Sequence, residues 1–233
     1  MTERMIPSNP CEGTNLPAPS EPTHRYLTAA QVTDLADAID GRYRALVYTG
    51  ALAGLRPGEI AALRLANLDL RNGRITITHT AVEQAGVITY GPPKTAAARR
   101  TLRIGRVLVS ILTEHLDEYG PGSNVSHITH VTDVTESPLV FTSSRGGPVR
   151  LTNLRRRQWR QAVEVSVGAP MRIHDLRHTH AALSIAEGVQ PKVLQERLGH
   201  RNITTTYNIY GHLFHGYDDE LVDALDDTFT ASI

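Results

Sequence analysis

The chain predicts an α+β fold, mainly helical with a small antiparallel β-sheet, on three observations. Apolar residues recur at helical spacing over most of the sequence, one stretch after Asn72-Gly73 alternates β-branched with polar residues, and 233 residues suit one core rather than two large units. Hydrophobic residues at 40% and charged residues at 21% exclude a disordered or collagen-like chain. No apolar run comes near the roughly 18 uncharged residues of a membrane span, so no membrane partner is expected. The single cysteine, Cys11, cannot form an internal disulfide, and MTERMIPSNPCEGTN lacks the apolar stretch of a secretory signal. A cytoplasmic setting is expected.

Residues 1–24 carry Pro7, Pro10, Pro17, Pro19 and Pro22 among Ser, Asn and Gly, and read as a flexible linker or tail before one domain over residues 25–233. Thr28 is a plausible N-cap for a helix to about Asp40, with Val32, Leu35, Ala36 and Ile39 at helical spacing. YRALVYTGALAG continues without a breaker before Gly50 and Gly54, and Pro57 suits the first turn of the next helix, PGEIAALRLA. Arg56 therefore sits at a helix–turn–helix junction. RITITHTAV, VITY and RRTLRI predict a small antiparallel sheet, with Lys94 in its second connection. RVLVSILTEHLDEYG returns to helical period and stops at Gly120-Pro121, before an irregular polar loop. LVFTS is a short apolar run before a Gly146-Gly147-Pro148 turn, and LTNLRRRQWRQAVEVS reads as a helix capped by Thr152. From His174 the chain reads as helices punctuated by Gly188, Gly199 and Gly211.

Twenty-four Lys and Arg balance twenty-four Asp and Glu, so net charge makes no long-range argument for any partner. The distribution says more: residues 94–106 hold five bases and no acid, residues 141–163 hold six arginines and no acid, and residues 217–227 hold six acids and no base.

His174-Asp175-Leu176-Arg177-His178 places two histidines four apart, superficially like an H-E-x-x-H zinc helix. Asp175 is one methylene short of the base that motif needs, Arg177 would set a fixed positive charge beside the cation, and no nearby residue is an obvious third ligand. No metal or other cofactor is expected. The cluster belongs to a longer ordered set: Arg56 in GLRPGEIAALRL, Lys94 in PPKTAAARRTLRI, His174 and Arg177 in HDLRHTHAAL, His200 in LGH, and Tyr210 in TTTYNIYGHL. Each motif alone is weak; their conjunction over about residues 25–227 resembles the tyrosine recombinase family, specifically the catalytic domain of phage integrases.

The resemblance implies the DNA breaking–rejoining fold and site-specific recombination through a 3′-phosphotyrosyl intermediate, with double-stranded DNA as partner. It also implies a homotetramer on two duplexes, with the C-terminal segment packing on a neighbour, and accessory DNA-bending or excision factors. The chemistry is coherent without the family. Guanidinium groups stay charged and bind phosphate bidentately, which suits Arg56 and Arg177 as clamps on a phosphodiester under attack. A tyrosine near its ordinary pKa of about 10 needs a base and a positive field, and His174 is the base candidate. His200 can donate to a non-bridging oxygen, and Lys94 can protonate the departing 5′ oxygen. Tyr210 is preferred over Tyr207 as nucleophile because it precedes Gly-His and stands ten residues after His200. Glu59 and Asp175 match acidic positions beside the catalytic arginine and histidine, and are expected to orient those neighbours. Arg99, Arg100, Arg155, Arg156 and Arg157 are candidates for backbone phosphate contacts. Integrases of this kind carry an N-terminal core-binding domain that does not fit in 24 residues, so a truncated product, a pseudogene remnant or a late start codon is expected; the alternative function is a remnant that binds DNA or a full-length recombinase without efficient recombination.

Overall fold

A computed structural model describes Cys11, Gly13, Thr14 and residues 24–122, 137–214 and 217–230. Most of the expected linker over residues 1–24, and most of the polar loop after Gly120, lie outside the described residues.

Helix α1 (Ala29–Ala38) opens with Thr28 accepting from Gln31 N–H while the Gln31 side chain accepts from Thr28 N–H, a reciprocal capping box. It ends before Asp40 because Asp40 caps the next helix, α2 (Gly41–Ala53), by accepting from Arg42 N–H. α3 (Pro57–Ala61) has Pro57 in its first turn. It is half the length the sequence suggests: Arg64 leaves it to bridge Leu139, and Leu65 N–H donates to the Pro138 carbonyl, so tertiary pairing overrides helical period here.

The β region is two antiparallel pieces rather than one sheet. β1 (Leu68–Asp69), β2 (Arg74–Ile77) and β5 (Arg100–Arg103) form a three-stranded sheet in the order β1-β2-β5, whereas β3 (Thr80–Gln84) and β4 (Val87–Gly91) form a separate hairpin. RITITHTAV breaks at Thr78-His79, where the Thr78 hydroxyl turns to Asn67 Oδ1 and His79 Nδ1. The hairpin turn, Ala85-Gly86, has positive φ at both residues (48° and 78°), the geometry whose twist matches flanking strands.

α4 (Arg106–Tyr119) follows, closed at Gly120. LVFTS forms only isolated bridges, Arg64 to Leu139 and Thr142 to Pro148. The arginine-rich helix starts two residues earlier than a Thr152 cap requires: α5 (Leu151–Leu154) has Arg150 at its N-cap, and Glu83 of the hairpin accepts from Thr152 N–H. Arg155–Trp159 widens into a π-helical turn before α6 (Arg160–Ser166), and its outward residues Arg155, Arg156 and Arg157 are exposed while Trp159 is buried. Among the described residues four α-helices follow: α7 (Asp175–Ala186), α8 (Pro191–Leu198), α9 (Ile203–Tyr210) and α10 (Tyr217–Thr230).

The main core joins α1, α2, α4, α6 and the three-stranded sheet through Leu35, Leu46, Leu108, Leu112, Ile75 and Trp159. A second, smaller cluster of Ala181, Ile185, Leu194, Leu198 and Tyr210 holds α7, α8 and α9 together. α2 packs along α7, and Arg177 of α7 bonds the Gly54 carbonyl at the end of α2. No helix among the described residues is long and apolar enough to cross a membrane.

Candidate active site

Arg177 is the centre of the site, and two helix ends hold it. Its Nη1 donates to the Gly54 carbonyl at 2.8 Å and its Nη2 to the Leu198 carbonyl at 2.6 Å, so it binds carbonyls left open at the C-termini of α2 and α8. Gly54 closes α2 in the left-handed conformation (φ 67°), and a Cβ there would lie 2.5 Å from the His180 ring; only glycine fits. The Arg177 side chain is 2% exposed. Burial, with Arg56 adding to it, draws its guanidinium down to about 9, still charged at neutral pH.

Arg56, at the N-cap of α3, presents its Nη1 to Glu59 Oε1 at 2.9 Å, while its backbone N–H donates to Glu59 Oε2 at 2.9 Å. Glu59 is also gripped by Arg100, Nη1 to Oε1 at 3.1 Å and Nη2 to Oε2 at 3.0 Å. Burial alone would raise the Glu59 carboxyl; Arg100 and Arg56 outweigh it and hold it below its ordinary value. Arg100 is thereby placed differently from the phosphate-facing surface expected of it. Its side chain is buried, and its remaining donors go to the Arg197 and Ala98 carbonyls. Arg99 is exposed.

Two further histidines are neutral at physiological pH for the same physical reason. Burial, reinforced by Arg177 and Arg56, pushes His200 down to about 3; its Nδ1 shares a hydrogen bond with Thr206 Oγ1 at 2.9 Å. Burial and Arg197 push His180 to about 3 as well. His180 Nδ1 donates to the Ala51 carbonyl at 3.0 Å, which leaves Nε2 to accept from Arg197 Nε at 2.9 Å. His180 is a bolt between α2 and α8 that the sequence analysis did not single out.

Tyr210 ends α9 with its ring in the second core, 1% exposed. Its hydroxyl shares a 2.9 Å hydrogen bond with His178 Nδ1. Burial raises the phenol to about 12 against the opposing pull of Arg177 and Arg56. Tyr207 is 49% exposed and lies against Phe214. His174, the N-cap residue of α7, meets His178 edge-on with ring centroids 5.0 Å apart, and among the described residues no hydrogen bond joins it to Tyr210. Burial, then Arg177, lowers it to about 4. Lys94 stands exposed in the β4–β5 connection, without a hydrogen bond or ion pair among the described residues. That connection is tied to the site: a Cβ on Gly199 (φ 65°) would lie 2.9 Å from the Ala97 carbonyl, so the loop carrying Lys94 abuts the turn before His200.

His24, Asp175 and His178 bring ligand-type atoms within 4.8 Å of one another, so a third group does stand near this pair, supplied by the distant N-terminal side of the chain. Arg172 binds both oxygens of Asp175, at 2.7 to 3.4 Å, and a fixed guanidinium there opposes a cation.

The chain is 29% identical to a XerC-like tyrosine recombinase of Caldanaerobacter subterraneus subsp. tengcongensis over 97% of its own length and 62% of the relative's. It is 28% identical to the integrase of Staphylococcus phage L54a, covering 87% and 60%, and 32% identical to the ICEBs1 integrase of Bacillus subtilis, covering 77% and 48%. The chain thus spans about half to three-fifths of the length of these relatives. Its fold is that of the Tn1549 transposon integrase solved with transposon right-end DNA (TM-score 0.71, 20% identity, 89% of this chain and 67% of that one) and of XerA recombinase (TM-score 0.61, 22% identity, 91% and 67%). With the phage integrase family matching residues 25–216, a span that takes in Arg56, Lys94, His174, Arg177, His178, His200 and Tyr210, the chain belongs to that family.

Proposed function

We propose that this chain cuts and rejoins DNA strands in site-specific recombination, through a 3′-phosphotyrosyl bond at Tyr210 and without a metal. The observation that carries the reading is the buried Tyr210 hydroxyl, hydrogen-bonded to His178 Nδ1, with the positive charges of Arg177 and Arg56 favouring its ionised form. Among the described residues Arg177 is bonded to two backbone carbonyls and to no carboxylate, and an incoming phosphodiester supplies a balancing negative charge. Arg56 and Arg177 then clamp the non-bridging oxygens, neutral His200 donates to one of them, and Lys94 delivers a proton to the 5′ oxygen as the P–O5′ bond breaks. The two arginines, with the proton from Lys94, do the work that a divalent ion does in metal-dependent nucleases.

The partner in this reading is double-stranded DNA. Arg99 and the exposed run Arg155, Arg156 and Arg157 are proposed to grip its backbone, which positions without reading sequence. A homotetramer with accessory DNA-bending or excision factors completes the proposal. It is supported by α10, whose Leu221, Val222, Leu225 and Phe229 are each about half exposed or more, an apolar stripe suited to another subunit. Residues 25–233 act as the catalytic domain and residues 1–24 as its linker. The test is incubation with nicked duplexes in EDTA followed by a denaturing gel. A covalent protein–DNA adduct lost in Tyr210→Phe supports the reading; retarded DNA without any adduct favours a binding remnant instead.

A further inference from the structure

We propose that His178, backed by Asp175, is the group that takes the proton from Tyr210, so that the site contains a nucleophile, a base and a supporting acid in the order Tyr210, His178, Asp175. The inference rests on the strand-transfer reading and names the base within it. His178 was absent from the ordered set of motif residues, and the base role fell to His174 by position.

Geometry separates the two histidines. His178 Nδ1 is 2.9 Å from the Tyr210 hydroxyl, within the range proton transfer requires, whereas His174 touches only the edge of the His178 ring. Three neighbours fix that ring. His24 stacks on it at 4.1 Å, His174 meets it edge-on, and the Tyr210 ring lies tilted at 5.7 Å. Asp175 lies one turn earlier on the same face of α7, with a carboxylate oxygen within 4.8 Å of a His178 ring nitrogen. The carboxylate is itself held still by Arg172, backbone N–H to Oδ2 at 2.7 Å and Nη2 to Oδ1 at 2.8 Å. A hydroxyl hydrogen-bonded to a neutral imidazole, with a carboxylate within 4.8 Å of that imidazole to favour its charged form, is an arrangement that activates a nucleophile.

The charges around His178 set its resting state. His24 from the N-terminal segment, His174 and Asp175 on α7, Arg172 before α7 and Tyr210 on α9 all face it. Burial comes first, and with His24 and His174 it lowers the imidazole to about 4, so the ring is neutral and able to accept a proton. A DNA phosphate entering beside Arg177 adds negative charge and strengthens that acceptance, while the phenol becomes acidic as its oxygen bonds to phosphorus. In cleavage the Tyr210 O–H bond breaks and its proton passes to Nδ1; Oη–P forms as P–O5′ breaks, and Lys94 protonates O5′. In rejoining the 5′ hydroxyl attacks phosphorus and returns its proton to Lys94, Oη–P breaks, and His178 returns its proton to Tyr210.

The experiment measures adduct formation over about pH 4 to 9, a range that reaches the His178 imidazole, for wild type and for His178→Ala, His178→Asn, His174→Ala, Lys94→Ala and Tyr210→Phe. Each is run on a nicked duplex and on one with sulfur replacing the scissile 5′ oxygen, since a thiolate departs without protonation. His178→Ala and His178→Asn are expected to lose about 10²- to 10⁴-fold on both duplexes and to lose the acidic limb of the pH profile. Asn keeps a hydrogen-bonding group but is no base, so its failure to rescue distinguishes chemistry from placement. Lys94→Ala is expected to recover on the sulfur duplex. Ring-nitrogen NMR of the wild type, which needs no turnover, is expected to show His178 protonated at Nε2 and free at Nδ1. Near-normal adduct rates in both His178 variants, the large loss falling on His174→Ala alone, or an Nδ1–H tautomer would each overturn the proposal. Absence of any adduct from wild type would instead remove the strand-transfer reading on which it rests.

Discussion

Glu59 and Arg100 form a two-pronged buried ion pair, 3.1 and 3.0 Å, beneath the arginine that faces the site. Through it α3 is tied to β5, and the same carboxylate steadies Arg56. Removing one partner leaves the other charge buried and unpaired. Arg100→Met is therefore expected to lose about 3–5 kcal/mol in urea unfolding, and adding Glu59→Gln to recover much of it. Because the folded carboxyl is held below its ordinary value, the pair contributes stability that is complete above about pH 4.5 and is lost as pH falls through the folded value. Equal stability of Arg100→Met and wild type would contradict this.

Five histidines make the protein acid-sensitive at higher pH than its carboxylates do. Burial holds His174 and His178 at about 4 and His180 and His200 at about 3, and lowers His115 as well. The unfolded chain takes up protons near the unperturbed value of about 6.5 while the folded one does not. Their contribution is whole above that value and declines as pH falls toward the folded values. Denaturant midpoints are expected to drop steadily from pH 7 to pH 5; a flat profile there would count against neutral buried rings.

Thr206 is expected to decide which nitrogen of His200 carries the proton. With the threonine hydroxyl donating to Nδ1, Nε2–H is left to donate to a phosphate oxygen. Thr206→Val keeps the buried volume but releases the tautomer, so adduct formation is expected to slow, by less than the about 10²- to 10³-fold that deleting a donor costs. His200→Ala should show the larger loss, and melting curves of both variants separate this from unfolding.

Ala85 holds a backbone conformation (φ 48°) that costs an L-residue about 1 kcal/mol. The residue is exposed at the hairpin tip. Ala85→Asn creates the Asn-Gly pair this turn favours and is expected to raise stability by about 0.5–1 kcal/mol with adduct yield unchanged. A lower melting temperature would contradict the turn assignment.

The sequence shows the helices wherever a cap or a glycine marks an end, as at Thr28, Gly54, Gly120 and Gly199, because those signals are local. It misses the early end of α3 and the break after Ile77, since both are decided by pairing with distant residues: Arg64 with Leu139, and β2 with β5. Motif order picks out Arg56, Arg177, His200 and Tyr210, whose surroundings converge in space. Nothing in the run RRTLRI reveals that Arg100 turns inward while Arg99 stays out; only the presence of Glu59 across the fold does that. His178 and His24 are likewise invisible as a pair until the N-terminal segment is laid against α7. The local hint is that His178 stands four residues after His174, on one helical face with it and Arg177.

The central claim is that Tyr210 becomes covalently joined to DNA. Wild-type protein incubated with a nicked duplex in EDTA, then digested with nuclease and protease, is expected to yield one nucleotide-bearing peptide, with the phosphate on Tyr210 through a 3′ linkage. The modified phosphate on Tyr207, or a modified peptide that persists in Tyr210→Phe, would contradict the account.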